Sequence, residues 1–280
     1  MPLPTDGTFR LQFTGSCSAD EFRARCAEQD YWYHSYYFDN GFEQRGDYDI
    51  GRDIASYGFP ADMSGMSVLD VGTGGGWFAT YFEQRGADVT TVDLRGFADF
   101  DVFGRPGYPD ISEEKPEPDV RLPDGRGLYF SPVSKGFWIM KELLGLRAEY
   151  ANARVYELSP ALFSGRKFEL VFVGAVLMHL RDPIGALMAI RTVAHGEVIA
   201  TSFLLEGGPS DPPRMQLLQG DRISWWAPNR RCLESWFRGA GFADVELTGS
   251  VRLRPDRPYV DAGGHSSAVE QVFARVEARA

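Results

Sequence analysis

Two rhythms of apolar residues alternate along the chain. Short apolar runs at 68–71, 88–92, 153–158, 168–173 and 197–203 predict strands. Between them, apolar residues spaced three and four apart predict helices. A helix is expected from Ser18 to about Glu28, where Ser18 and Glu21 have the spacing of a capping box and Phe22 and Cys26 share a face. Others are expected over roughly 75–85, from Ser134 to Leu146 with Phe137, Met140, Lys141 and Leu144 in register, and over 184–193 behind Asp182 and Pro183. The last runs from Asn229 to Gly239 with Cys232, Leu233, Trp236 and Phe237 inward, and a shorter one spans Gly51 to Tyr57. Residues 245–251 and 268–276 read as two final strands, the last antiparallel, although Val269, Val272, Phe273 and Val276 also suit a helix. Strands alternating with helices imply an α/β architecture with a parallel sheet.

Three stretches break this rhythm. Residues 31–38, Tyr-Trp-Tyr-His-Ser-Tyr-Tyr-Phe, hold seven rings in eight positions, which fits either a staple fixing the N-terminal segment or a wall of an acceptor pocket. Residues 95–133 carry six prolines and a run of acids, so they read as an insertion of the lid or substrate-loop kind. Asp99 and Asp101 open that insertion. Residues 220–228, Gly-Asp-Arg-Ile-Ser-Trp-Trp-Ala-Pro, form another aromatic loop, expected at the carboxyl edge of the fifth strand. The division that follows is an N-terminal helical and aromatic extension, 1–60, on the substrate side, and a main domain, 61–280, containing the insertion. No internal repeat is evident.

Composition narrows the function. At 280 residues the chain can bury a full core. Its three cysteines, Cys17, Cys26 and Cys232, are far apart and suggest neither a disulfide framework nor a zinc site. A net charge of −10 disfavours a broad nucleic-acid footprint. No apolar run is long enough to span a bilayer, and the first residues lack the basic start and apolar core of a leader. A cytoplasmic protein, monomer or homodimer, is expected.

The chemistry concentrates at Asp70-Val-Gly72-Thr73-Gly74-Gly75-Gly76-Trp77, where the first strand meets a helix. Glycines there permit backbone angles that a Cβ forbids and let the main chain approach a ligand closely. A dinucleotide site uses G-x-G-x-x-G. Here the third glycine comes one residue early and an acid stands two residues before the first. The second strand ends at Asp93, about twenty residues on, where a carboxylate can accept both hydroxyls of a ribose.

This D-x-G-x-G-x-G run resembles motif I of class I S-adenosylmethionine-dependent methyltransferases, which implies a Rossmann-like seven-stranded sheet with helices on both faces. Over about residues 60–250 the chain is similar, more narrowly, to the transferases that carboxymethylate the wobble uridine of tRNA and to their small-molecule methyltransferase relatives. The matching segments are Val-Leu-Asp-Val-Gly-Thr-Gly-Gly-Gly, Tyr156-Glu157, Gly-Ala-Val-Leu-Met-His-Leu-Arg-Asp-Pro, Gly-Asp-Arg before an aromatic-Ala-Pro-Asn helix start, and Gly-Phe-Ala-Asp-Val. The resemblance implies cofactor contacts from Asp70, Gly72, Thr73, Gly74, Gly76, Asp93, Leu94, Tyr156, Glu157 and Gly174. The tRNA enzymes hold the extra carboxylate of their cofactor with an N-terminal lysine and a tyrosine after strand four. This chain has no lysine before Lys115, and Met178 stands at the tyrosine's place. Ordinary S-adenosylmethionine, yielding S-adenosylhomocysteine, is therefore expected, with a small-molecule acceptor and tRNA disfavoured as a partner.

Methyl transfer asks the protein for alignment, exclusion of water and, for a hydroxyl acceptor, removal of one proton, and no metal is required. His179, His34 and Tyr33 are the candidate catalytic groups, although His179 fits a structural hydrogen-bonded role as well. Tyr37, Trp225 and Arg222 are the candidate acceptor contacts. Two rival functions remain: carboxymethyl transfer to tRNA, and non-catalytic binding of the cofactor.

Overall fold

A computed structural model describes residues 7–96, 99–101, 120–121, 127–128, 134–205, 208, 210–218, 224–253, 256 and 269–277. Five strands, β1 (Ser67–Val71), β2 (Asp88–Asp93), β3 (Glu149–Asn152), β4 (Phe168–Gly174) and β5 (Ala194–Phe203), lie parallel in the order β3-β2-β1-β4-β5. Beyond β5 the sheet continues antiparallel. There β7 (Val269–Glu277) pairs with β5, and β6 (Asp244–Leu253) pairs with β7.

The central strands are apolar on both faces because both faces are covered. On β4, Leu170 and Phe172 enter one core, while Val171 and Val173 enter the other. The first core is shared with α1 (Ala19–Cys26), α2 (Trp77–Glu83) and α3 (Lys135–Leu144), the second with α4 (Pro183–Val193) and α5 (Arg230–Gly239). Each such side chain stabilises the fold by roughly 1.5–3 kcal/mol through burial. Polar caps set where the helices begin. The Ser18 Oγ accepts from the Glu21 N–H at 3.2 Å, Asp182 Oδ1 from Gly185 N–H at 2.8 Å, and Asn229 Oδ1 from Cys232 N–H at 2.9 Å. Gly145 ends α3 in the left-handed region, φ +67°.

The N-terminal segment is part of the first core. Phe13, Phe22, Phe38 and Phe42 pack ring edge to ring face at 4.9–5.9 Å, apart from the tilted pair of Phe22 and Phe42. Trp32 wedges between α3 and the turn after β1: a Cβ on Gly136 would lie 3.0 Å from its ring and 3.3 Å from Gly75 Cα.

Several local expectations are corrected. The third strand is 149–152, not 153–158. Ala153, Val155 and Leu158 are buried from a turn that ends in one 3-10 loop, Val155–Glu157, whereas the true strand, Glu-Tyr-Ala-Asn, is the sheet's edge and carries little apolar signal. The expected helix over 51–57 is two short 3-10 turns, Ile50–Arg52 and Ile54–Tyr57, ended by Gly58 at φ +63°. Ser134 precedes α3 without a side-chain cap bond. The tail residues that suited either helix or strand form β7. Most of the expected insertion, 95–133, lies outside the described residues. Among those described, no helix is long and apolar enough to cross a membrane.

The chain leaves β1 through α2 for β2 and through α3 for β3 on one side, then crosses back over two 3-10 turns, Val155–Glu157 and Pro160–Phe163, to reach β4 and, through α4, β5 on the other. The carboxyl ends of β1 and β4 therefore flank a crevice where the connections diverge, the place at which open α/β sheets bind ligands.

Because Phe38 is fully buried in a ring cluster that ties the N-terminal segment to the first core, Phe38→Ala is expected to lower stability by about 3–5 kcal/mol. Urea unfolding should show it as one transition moved to lower midpoint. An early, separate transition would mean that the segment is only loosely attached.

Candidate active site

A cavity of about 450 Å³ opens at the carboxyl ends of β1, β2, β4 and β5. Its floor is the turn after β1. Gly72 and Gly74 have φ +76° and +51°, and a Cβ on Gly72 would come within 2.6 Å of Val176 Cγ2. Tyr36 braces the turn by donating its hydroxyl to Gly75 O at 2.6 Å. Gly76, φ +84°, is turned away from the cavity: a Cβ there would meet Phe137 of α3 at 2.7 Å. Its glycine answers helix packing.

Two buried carboxylates stand beside this turn. Asp93, at the end of β2, accepts the Gly74 N–H on Oδ2 at 2.8 Å and the Leu94 N–H on Oδ1 at 2.7 Å. Burial nonetheless holds its pKa up at about 6, against the pull of those two N–H groups. Each oxygen keeps a further lone pair with which to accept a hydroxyl. Asp70, within β1, accepts the Thr73 hydroxyl on Oδ2 at 2.8 Å, and burial, reinforced by the nearby Asp93 charge, raises it to about 7.

Opposite them, β4 ends at Gly174 and the chain passes through Ala175 at φ +55°, a strained angle for a residue with a Cβ. Its N–H is caught by Thr201 Oγ1 of β5 at 2.9 Å. The turn then delivers Val176, Met178 and His179 to the cavity.

Asp101 gathers four residues at one rim. Its Oδ1 receives Arg154 Nη2 at 2.6 Å. Its Oδ2 receives the Tyr156 hydroxyl at 2.5 Å and the Arg181 N–H at 2.8 Å, and its carbonyl accepts the Trp225 indole N–H. Its partners lie 53 to 124 residues away in sequence, so no spacing announces it.

The two histidines differ in surroundings. His179 Nδ1 lies 3.4 Å from the hydroxyl of buried Ser224. His34 packs edge-on to Tyr33 and Phe78 at 4.8 and 5.6 Å, and its Nδ1 is sealed without a hydrogen-bond partner. Burial drops its pKa to about 3, so the ring stays neutral.

Of the residues singled out by sequence, Asp70, Gly72, Thr73, Gly74, Asp93, Leu94, Tyr156, Gly174, Tyr33, His34 and His179 all line this one cavity. Gly76, Glu157, Tyr37 and Trp225 are not among the lining residues. Glu157 accepts the Arg154 N–H at 2.8 Å, and Tyr37 donates to Asp256 Oδ2 at 2.6 Å. Trp225 braces Asp101 and stacks with Arg181, 5.2 Å from guanidinium carbon to ring centre. Arg222 lies outside the described residues. Ser224, Thr201, Tyr48 and Tyr57 also line the cavity and carried no signal readable from spacing.

A methyltransferase-domain family model matches residues 42–247. Among curated proteins, the tRNA U34 carboxymethyltransferase of Pseudomonas putida (strain W619) is 26% identical over 229 residues, covering 75% of this chain and 59% of that protein. The same enzyme of Stutzerimonas stutzeri (strain A1501) is 29% identical over 193 residues, covering 66% and 47%. The chain thus spans about half to three-fifths of the length of these relatives. Among solved structures, the N-terminal domain of EvdMO1 with SAH bound aligns with a TM-score of 0.58 at 15% identity, covering 94% of this chain and 98% of that one. That likeness is one of fold.

An aspartate held at a raised pKa keeps its proton in the fold where the unfolded chain, titrating near 4, has lost it, so stability falls as pH rises between the two values. For Asp93 that window closes near pH 6, and for Asp70 near pH 7. Asp70→Asn is therefore expected to flatten the decline in urea midpoint between pH 6 and 7. A variant that declines there as steeply as the parent would show Asp70 to be already ionised.

Proposed function

The chain belongs to the methyltransferase-domain family, and we propose that it transfers the methyl group of S-adenosylmethionine to an oxygen or nitrogen of a small-molecule acceptor. The observation that carries this reading is the Asp93 carboxylate anchored on the Gly74 N–H, which places a hydroxyl-accepting acid against a close-approach glycine turn inside one cavity. The surroundings fit the cofactor. Gly72 and Gly74 leave room that a Cβ would fill, Asp93 retains acceptor capacity for a ribose diol, and Leu94, Val155 and Tyr156 supply flat apolar surface for a base. When bound, S-adenosylmethionine supplies a methyl carbon on a positively charged sulfur, which an acceptor lone pair displaces as the carbon–sulfur electron pair returns to sulfur.

The chain's own residues align the acceptor, exclude water and remove its proton. His179 is the better base of the two histidines. Ser224 sits at its Nδ1 and can accept from the imidazolium, leaving Nε2 to take a proton. His34, with Nδ1 sealed in apolar surroundings, cannot carry a second proton without burying an unpartnered charge. Its role in this reading is a neutral hydrogen bond to the acceptor, with Tyr33 beside it. Residues 1–60 serve as the acceptor-side cap on the catalytic domain, and β6 and β7 are the last two strands of a seven-stranded order.

The names of the curated relatives raise a second reading, carboxymethyl transfer to tRNA. Against it stand the buried thioether of Met178 and the pairing of Arg154 with Asp101, which leave an added carboxylate no free cationic partner among the described lining residues. An unpaired carboxylate in such a site is costly.

Calorimetry with S-adenosylhomocysteine should give saturable binding. Asp93→Ala should weaken it about tenfold or more, as expected when hydrogen bonds to a charged group are lost, and Gly74→Val should abolish it. Absence of heat with both adenosyl ligands, or an unaffected Gly74→Val, overturns the assignment. Labelled tRNA should not be retained at physiological salt; retention would favour the second reading. With an acceptor in hand, His179→Gln should lower kcat by about 10²–10⁴-fold, the usual contribution of a positioned base. A loss confined to KM would reassign His179 to binding.

A further inference from the structure

The cavity has two chemically different ends, and the sheet order separates them. Asp93, Leu94 and Tyr156 follow β2 and β3, on one side of β1. On the other side, against Phe172 of β4, stands a wall made by the N-terminal segment: Tyr33, His34, Tyr48 and Tyr57, with Phe78 of α2. The rings interlock. Phe78 lies 4.4 Å from Phe172 and 5.2 Å from Tyr57, and Tyr33 lies 5.0 Å from Tyr48 between ring centres. Such packing makes a rigid surface for a flat ligand, since aromatic pairs favour offset and edge-on contact.

Among the described residues the wall presents no Lys or Arg. The single Lys or Arg among the described lining residues is Arg154, held by Asp101 at 2.6 Å on the far rim. The wall's acid, Asp47, accepts the Tyr31 hydroxyl at 2.9 Å. What remains is His34. Its Nδ1 is sealed without a partner among the described residues and its ring borders the cavity, so Nε2 is the nitrogen left to a ligand.

Resting on the methyl-transfer reading above, we propose that the acceptor is an uncharged aromatic alcohol, its ring laid against the Tyr33–Tyr57 wall and its hydroxyl hydrogen-bonded to His34 Nε2. A carboxylate or phosphate would lose its hydration without a cationic partner. A plain hydrocarbon of the same shape would leave the imidazole nitrogen unpaired, and sites built to bond a hydroxyl reject analogues that lack it.

The test uses the full chain and three naphthalene probes of one shape, 2-naphthol, 2-naphthoate and 2-methylnaphthalene, titrated with and without saturating S-adenosylhomocysteine. 2-Naphthol should bind at least tenfold more tightly than either other probe. His34→Phe should bring 2-naphthol and 2-methylnaphthalene within about twofold of each other, and Tyr33→Leu should weaken both alike. Thermal melts of the variants identify any that fail to fold, and the ranking on the parent chain stands without them. Tighter binding of 2-naphthoate, no binding of any probe to a chain that binds the adenosyl ligand, or an unchanged hydroxyl preference in folded His34→Phe overturns the proposal. A chain that ranks the probes as expected yet binds neither adenosyl ligand would overturn the cofactor reading and leave the pocket assignment intact.

Discussion

The bond from the Gly74 N–H to the Asp93 carboxylate ties the end of β2 to the turn leaving β1, and the geometry of the cavity depends on it. A buried carboxylate is tolerated only where hydrogen bonds replace its water. Asp93 meets that demand with two main-chain N–H groups, one from the glycine turn and one from its own successor, Leu94. The turn is thereby held open by an acid that keeps spare acceptor capacity. Asp70 does related work one strand away, where its bond to Thr73 closes the inner side of the same turn.

The turn also needs support from outside the sheet, and the N-terminal segment supplies it. The Tyr36 hydroxyl takes the Gly75 carbonyl, and Trp32 fills the gap that Gly75 and Gly136 leave between the turn and α3. Neighbouring rings of the same segment, Tyr33 and His34, face the cavity. One aromatic run thus serves two ends: Trp32 and Tyr36 support the turn, while Tyr33 and His34, consecutive at a bend, line the cavity. Rings of the run both pack on the first core and line the cavity.

At the opposite rim, Asp101 collects Arg154, Tyr156 and the Arg181 N–H around its carboxylate and the Trp225 indole on its carbonyl. The pairing neutralises the one arginine among the described lining residues. Both that neutralisation and the sealed Nδ1 of His34 bear on the ligands the pocket suits, since each removes a charge that an ionic acceptor would need.

Local pattern alone determined the parallel strands β1, β2, β4 and β5, the caps at Ser18, Asp182 and Asn229, the inward face of α5 and the glycine turn with its two acids. These features rest on side-chain period, capping chemistry and backbone sterics within a few residues, which a sequence displays directly. The edge strand β3 was displaced by several residues, because an edge strand buries little and leaves only a weak apolar trace. Tertiary structure decided the rest. It turned Gly76 toward Phe137 and Tyr37 toward Asp256, and it set Ser224 beside His179. These are contacts between residues tens to hundreds of positions apart, and the direction a side chain takes there depends on what the fold packs against it, a fact that no short stretch of sequence contains.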